Sequence, residues 1–431
     1  MPIKRIAAGL TLLVLLSGCS GDSYLWPRAQ AEKQRLTVAL WDYDRTSYDR
    51  HLVEAFEQKY PSVEVQVISY SDAYYDERLE SLLTSEEEVD VMFCRTMTTL
   101  GQLCDSGQAL PLDGLMRQNG VQPSEYPYIE AFRQDGVQYA IPYRMDRYVL
   151  IYNCDLFDQA GLPYPDAQMT WEEYQQTALA LQERLDKPDT YAAMTLPMEI
   201  QWIAAGRTQA FRYLDGDLEH LRPILELMLQ MQSEDGTTPF YGDCLAQNIQ
   251  QRQFETGRYG MYVGGTWYLN YLASNFKDGL FNFRWGATLQ PIWEGMDASQ
   301  CAVVPTSVCI NSSSRKTELA WEFVRFVTGK EGARIMAEEQ MMPAYMDEEI
   351  EEIYRTHFMG AALDDALLQT RTGVCGGIPS RGEQRMAGAI CSGFSRILTG
   401  ENSIDEEFAA LKQQQAAYRA DSKEAARTNA N

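Results

Sequence analysis

Between Leu36 and Cys94, short apolar runs alternate with stretches whose apolar residues recur every three or four positions. LTVALWDY (Leu36 to Tyr43), VEVQVISY (Val63 to Tyr70) and VDVMFC (Val89 to Cys94) read as strands, each apolar and ended by polar residues. The stretch between the first two carries Leu52, Val53, Phe56 and Tyr60 at helical spacing and stops at Pro61, and ERLESLLTS supplies another helix. Strands alternating with helices of this length predict βαβ units, a parallel sheet and an α/β fold.

The middle of the chain is denser in pattern. Gln138 to Tyr143 and Tyr148 to Asn153 read as two strands separated by the charged quartet Arg144-Met145-Asp146-Arg147. CDLFDQAGL follows as a short helix with Gly161 as its C-cap and Pro163 beyond. TWEEYQQTALALQERL is a helix with Thr170 at the N-cap and Glu173 three residues on, a capping box. FETGRYGMYVGGTWYL (Phe254 to Leu269) reads as an apolar strand broken by glycines. TELAWEFVRFVTGKEGARIMAEE predicts a helix pair with Ala320, Phe323, Val324 and Val327 inward, and a further helix spans about Ser380 to Leu398. The last ten or so residues are polar and read as a frayed tail.

Open sheets of this kind bind ligands beyond the carboxyl ends of their strands. The residues there are Trp41, Asp42 and Tyr43, then Tyr70 and Asp72, then Arg95. An aromatic, an acid and an arginine at successive strand ends suit a polar ligand with a face to stack on. The competing reading makes Trp41 and Tyr70 core aromatics and pairs Arg95 with a surface acid.

Composition sets the compartment and removes several function classes. Lys4 and Arg5 precede an apolar run, Ile6 to Leu16, which fits a signal segment and is too short for the ~20 residues of a spanning helix. The chain has 431 residues and a net charge of −24, which argues against nucleic acid or an anionic membrane surface as partner. Nine Cys and three His, with no Cys-x-x-Cys pair, make a metal site unexpected, and no cofactor motif is visible. The eight Cys after Cys19 leave disulfides and buried thiols both open, with Cys301–Cys309 and Cys375–Cys391 the nearest pairs. No Gly-x-Ser-x-Gly elbow, His-Glu-x-x-His or phosphate-binding glycine loop occurs, so an exported hydrolase is the weaker alternative.

Five blocks in order carry a family resemblance. LSGC (Leu16 to Cys19) resembles the lipobox of bacterial lipoproteins. After it come LTVALWD with its helix, YAIPYRMDRYVLIYNCDLFDQAGL, FETGRYGMYVGGTW and AWEFVRFVTGKEGA. Together they resemble the sugar-type extracellular solute-binding lipoproteins of ABC importers, the group similar to maltose-binding protein. Relatives usually carry lysine where this chain has Cys154.

The resemblance implies two α/β lobes with ligand in the cleft between them. A signal peptide would cover 1–18 and a lipidated tether on Cys19 would cover 19–35. One lobe would comprise 36–143 with 302–346, the other 147–300 with 347–421, and 422–431 would be a frayed tail. Crossings are expected at Tyr143 and Arg144, near Gln300 to Thr306, and around Ala344 to Glu349. Ligand contacts carried over from the family are Trp41, Asp42, Arg95, Tyr143, Arg144, Trp267 and, after GGIPS where similar proteins bring a C-terminal side chain into the cleft, Arg381; Trp202 and Trp293 are placed by neighbourhood. The implied partners are a carbohydrate, the permease subunits of an ABC transporter and the membrane through the N-terminal lipid. The protein would be a monomer on the extracytoplasmic face. A polyamine or peptide ligand is the alternative within the fold. Arg95 and Arg144 would suggest an acidic sugar if both reached the cleft, unless Asp42 or Asp146 pairs with them.

Overall fold

The computed structural model describes residues 33–429 apart from 86, 186, 195, 197–212, 298–300, 358–360 and 370–372. Strand β1 (Gln34–Trp41) pairs in parallel with β2 (Val63–Tyr70) over its whole length, Gln34 opposite Val63 and Trp41 opposite Tyr70. Its other edge carries β3 (Val91–Cys94), also parallel. Leu36 to Leu40 are all buried, which is why this strand reads as a continuous apolar run: helices cover both faces of the sheet.

A small hairpin of β4 (Arg133–Gln134) and β5 (Val137–Gln138) leads into β6 (Ile141–Asn153), whose 13 residues are all buried. At the usual rise such a strand is about 43 Å long. From Ile141 to Arg147 it pairs antiparallel with β10 (Val303–Ile310), which also pairs with β3. From Tyr148 to Asn153 its partners are β8 (Tyr259–Gly265) and β9 (Trp285–Leu289). β7 (Tyr191–Met194) joins β8, and β11 (Ala361–Leu363) joins β9. The sheet thus runs β11-β9-β6-β10-β3-β1-β2 with β8 and β7 branching from β6, and one strand ties its two halves.

The cores divide the same way. Leu36, Phe56, Phe93 and Phe323 belong to a cluster on the first half, and Leu79, Met92 and Leu100 to one on its other face. Tyr174, Leu181, Ile224 and Ile390 pack on the second half, with Trp285, Tyr268 and Tyr354 opposite. No helix among the described residues is long and apolar enough to cross a membrane.

Three elements differ from the sequence reading. The charged quartet Arg144 to Arg147 is the centre of one continuous strand, because its charges meet partners or burial inside the fold rather than water. The Phe254 to Leu269 block divides: β8 ends at Gly265 and the helix Thr266–Lys277 begins at once, so Trp267 lies in a first helical turn. At the C-terminus the backbone is helical from Ile404 to Asn429, where composition suggested a frayed end. Ser403 and Glu406 cap that helix reciprocally, and Phe408 and Leu411 bury against the helix Arg381–Leu398.

The other boundaries follow their local chemistry. Thr170 and Glu173 form the capping box of the helix Trp171–Leu185, at 2.8 and 3.1 Å. The helix Cys154–Ala160 ends at Gly161, whose φ of 64° is the left-handed conformation a C-cap glycine supplies. Ala320, Phe323, Val324 and Val327 all face inward on the helix Thr317–Thr328.

Candidate functional site

The carboxyl ends of β1, β2 and β3 lie side by side, so the residues after them form one polar rim. Asp42 sits at φ 50°, a left-handed conformation that Asp tolerates better than most residues and that turns the chain from β1 toward the helix Ser47–Lys59. Its backbone N–H donates to Tyr70 O (2.9 Å), and its carboxylate accepts from the backbone N–H of Asp72 (3.2 Å). Tyr43 N–H donates to Ser69 Oγ at 3.1 Å. Trp41 packs its ring 5.5 Å from Tyr75, leaving the rest of the indole half-buried. Tyr70 is half-buried and Tyr74 is 62% exposed, an unusual exposure for so large a ring.

Arg95, just past β3, is held by two carboxylates. It pairs with Asp72 (3.2 Å) and with Asp76, whose other oxygen accepts from Thr99 Oγ1 at 2.7 Å. Burial works against its charge, but the two acids outweigh it and hold its pKa above the ordinary arginine value.

The other wall comes from the N-terminal turns of the helix Thr266–Lys277. Trp267 is half-buried, sets its ring edge-on to Tyr148 at 5.6 Å and 77°, and donates from Nε1 to Gln251 Oε1 at 3.2 Å. It touches the core clusters of both sheet halves. One turn on, Tyr271 has a raised pKa, through burial first and then the charges of Asp42, Asp49 and Asp72 against the opposing Arg144. That set of neighbours brings this helix within electrostatic reach of the β1 and β2 ends.

The floor is the centre of β6. Arg144 is 5% exposed and donates through Nε and Nη2 to Asp146 Oδ2 (3.2 and 2.7 Å) and through Nη1 to Tyr48 Oη (2.9 Å). Thr266 Oγ1 donates to the other Asp146 oxygen at 2.8 Å. Tyr143 is buried with its ring perpendicular to Phe93 at 5.0 Å. Beside them Asp49 is buried, and desolvation pushes its pKa to about 7 despite a hydrogen bond from Thr46 and the nearby Arg144. On its free edge the same stretch of β6 is bonded by the backbone at Met342 and Ala344.

The sequence-derived candidates therefore separate. Trp41, Asp42, Tyr43, Tyr70, Arg95 and Trp267 gather around the strand ends, over Tyr143 and Arg144. Trp293 is buried in the core of the second half, 6.1 Å from Trp171. Arg381 is 81% exposed at a helix start and pairs with Asp105 at 3.5 Å. Trp202 and Cys19 lie outside the described residues. Residues passed over in the sequence were Tyr48, Thr266, Tyr271 and Tyr74, whereas Asp146, weighed there as a partner of Arg144, does pair with it. Tyr271 stands four residues after Trp267 and was findable by helical spacing once that segment is helix rather than strand.

None of the eight described cysteines is joined in a disulfide. Cys309, weighed against Cys301, instead meets Cys94 across the β3–β10 pair at an Sγ–Sγ distance of 3.5 Å. No metal-binding group of three or more His, Cys, Asp or Glu occurs among the described residues.

With this geometry in view, the likeness to known proteins is consistent. The family model for bacterial extracellular solute-binding proteins matches residues 51–345. This chain belongs to that family. A binding protein of Brucella abortus (strain 2308) is 24% identical over 365 residues, covering 80% of this chain and 81% of its own. A sugar transporter from Rhizobium etli, solved in an open conformation, superposes with a TM-score of 0.75 at 26% identity, covering 89% of this chain and 99% of the other. An ABC substrate-binding protein from Listeria monocytogenes, in complex with cycloalternan, gives 0.73 at 20% identity, with 91% and 100% covered. The two-lobe α/β architecture is thereby established, and the family places the protein on the extracytoplasmic side.

Proposed function

We propose that this protein is a lipid-anchored receptor that captures a carbohydrate between its lobes and hands it to the permease of an ABC importer. The observation that carries this reading is the apposition of Trp41, Asp42 and Asp72 at the strand ends with Trp267 and Tyr271 on the opposing helix. Aromatic faces cover the C–H surface of a sugar ring, and carboxylates and tyrosine hydroxyls meet its hydroxyls. The Rhizobium etli and Listeria monocytogenes relatives, a sugar transporter and a cycloalternan complex, support the same ligand class.

In this reading residues 36–143 with 302–346 form one lobe and 147–300 with 347–421 the other. Ligand touching both lobes shifts the population toward a closed form, which the permease recognises. Cys19, after Leu16-Ser17-Gly18, carries the lipid once 1–18 are removed. The protein performs no chemistry on its ligand and acts as a monomer. Both arginines near the cleft already have carboxylate partners, which favours a neutral sugar over an acidic one.

Thermal unfolding of the soluble chain against neutral oligosaccharides, acidic sugars, polyamines and peptides tests this. A ligand bound only by the folded form at 100 times its Kd adds ~2.7 kcal/mol of stability. A shift confined to one oligosaccharide class supports the proposal. A shift with a polyamine or peptide alone, or conversion of a sugar to product, overturns it.

A further inference from the structure

Behind the hinge strand, the segment 373–380 touches both halves of the sheet. Val374 is bonded twice to the start of β10: its N–H donates to Cys301 O (2.8 Å), and its carbonyl accepts from Val303 N–H (3.0 Å). Next to it, Cys375 packs with Tyr128 on a small cluster of Met145, Val303 and Ala344. Met145 is at the centre of β6, Val303 opens β10, and Ala344 lies on the backbone that bonds β6 along its free edge. By strand alternation Met145 points away from Arg144 and Asp146. The cluster therefore lies on the face of β6 opposite the cleft floor.

Further along, the segment lies against the first half. A Cβ on Gly101, in the helix Met97–Asp105, would stand 3.1 Å from Ile378 Cγ2 and 3.2 Å from Pro379 O. That is tighter than side chains ordinarily pack, so the glycine is what admits the segment. Ile378 packs on the core cluster that holds Met92 and Leu100. Arg381 then pairs with Asp105 of the same helix at 3.5 Å. The helix that Arg381 begins buries Met386, Ile390 and Phe394 in the core of the second half. One short segment is thus fixed to the second half by its helix, to the hinge by Val374 and to the first half by Ile378.

We propose that this segment is a strap that holds the lobes apart and thereby sets how tightly the receptor binds. When two lobes rotate about their crossings and the front of the cleft narrows, the back widens. Packing across the back belongs to the separated arrangement and is given up on closure. Breaking it subtracts from the binding free energy, because apparent affinity scales with the population of the binding-competent form. Ile378 and Gly101 therefore tune affinity without touching the solute. The strap acts through the lobe closure of the proposed function, and the chemistry of the solute does not enter.

The test is solution X-ray scattering of the protein without added solute, with urea unfolding to confirm the fold. Gly101→Trp places a ring where the strap lies, and Ile378→Ala removes the side chain that anchors it. Both should lower the radius of gyration in the absence of any solute, Gly101→Trp the more. Titrated with the neutral oligosaccharide that most stabilises the parent, Ile378→Ala should bind about threefold or more tightly. A merely structural role would weaken binding or leave it unchanged. An unchanged or larger radius of gyration in both folded variants, or weaker binding by Ile378→Ala, overturns the strap. If Gly101→Trp does not fold, Ile378→Ala decides alone by the same two readings. Contraction of the variants with no response to any sugar supports the strap and overturns the carbohydrate ligand instead.

Discussion

Arg144 and Asp146 stand two residues apart on the same face of β6, and the guanidinium grips one carboxylate oxygen of Asp146 through both Nε and Nη2. The pair sits where the strand passes between the sheet halves, with Tyr48 from one side and Thr266 from the other completing its hydrogen bonds. A helix from each half is thereby fastened to one ion pair on the shared strand. Removing one partner leaves a buried charge without compensation, a change that costs roughly 3–5 kcal/mol in comparable settings. Asp146→Ala should therefore lower the urea midpoint markedly, and Thr266→Ala by much less. Equal stability of Asp146→Ala and the parent would show that the pair does not hold the crossing.

Trp267 is the residue on which the carbohydrate reading depends most. Trp267→Ala should weaken sugar binding by about tenfold or more, equivalent to roughly 1.4 kcal/mol, while far-UV circular dichroism stays unchanged. Trp293→Ala, in the core of the second half, should cost stability rather than affinity. Titration calorimetry and urea unfolding on both variants separate the two effects. Unchanged affinity in Trp267→Ala would remove it from the site.

Asp49 ties stability to pH. Its folded pKa is raised to about 7 from an ordinary value near 3.8, with burial the leading cause. A raised carboxylate pKa means that the folded state binds the proton more tightly. The contribution is full below about pH 4 and fades as pH rises through 7, at most roughly 4 kcal/mol by the shift. Asp49→Asn should remove that fall. The difference in Tm, variant minus parent, should grow from pH 5 to pH 8. A constant difference over that range would contradict the assignment.

The thiols make a separate prediction. All eight described cysteines should react with a thiol reagent after denaturation without reductant. Cys94 and Cys309, already in contact, are the pair a mild oxidant should close first. Fewer than eight thiols in the untreated protein would mean that bridges form where the fold shows none.

How much of this was legible in the sequence depends on how locally each feature is determined. Capping residues act within four positions, so Thr170 with Glu173 and the Gly161 terminus could be read directly. The strand-end rim was legible because the α/β pattern itself dictates which residues follow the strands, and Trp41, Asp42 and Arg95 do lie there. The centre of β6 was not. Arg144-Met145-Asp146-Arg147 looks like a turn until its neighbours are known, and those come from segments about 100 to 200 residues away. Trp293 and Trp267 are both indoles near glycines in the sequence. Only packing separates a core ring from a half-buried one. The Ser403-x-x-Glu406 cap was present in the sequence, but its helix also needed the apolar face of Arg381–Leu398 to bury against.

The measurement that bears most directly on the central claim is solution X-ray scattering with and without each oligosaccharide of the thermal panel. A receptor whose lobes close on its ligand should contract, so at least one neutral oligosaccharide should lower the radius of gyration, and Trp267→Ala should need more of that sugar to do so. No contraction with any sugar, together with contraction on adding a polyamine, would contradict the account.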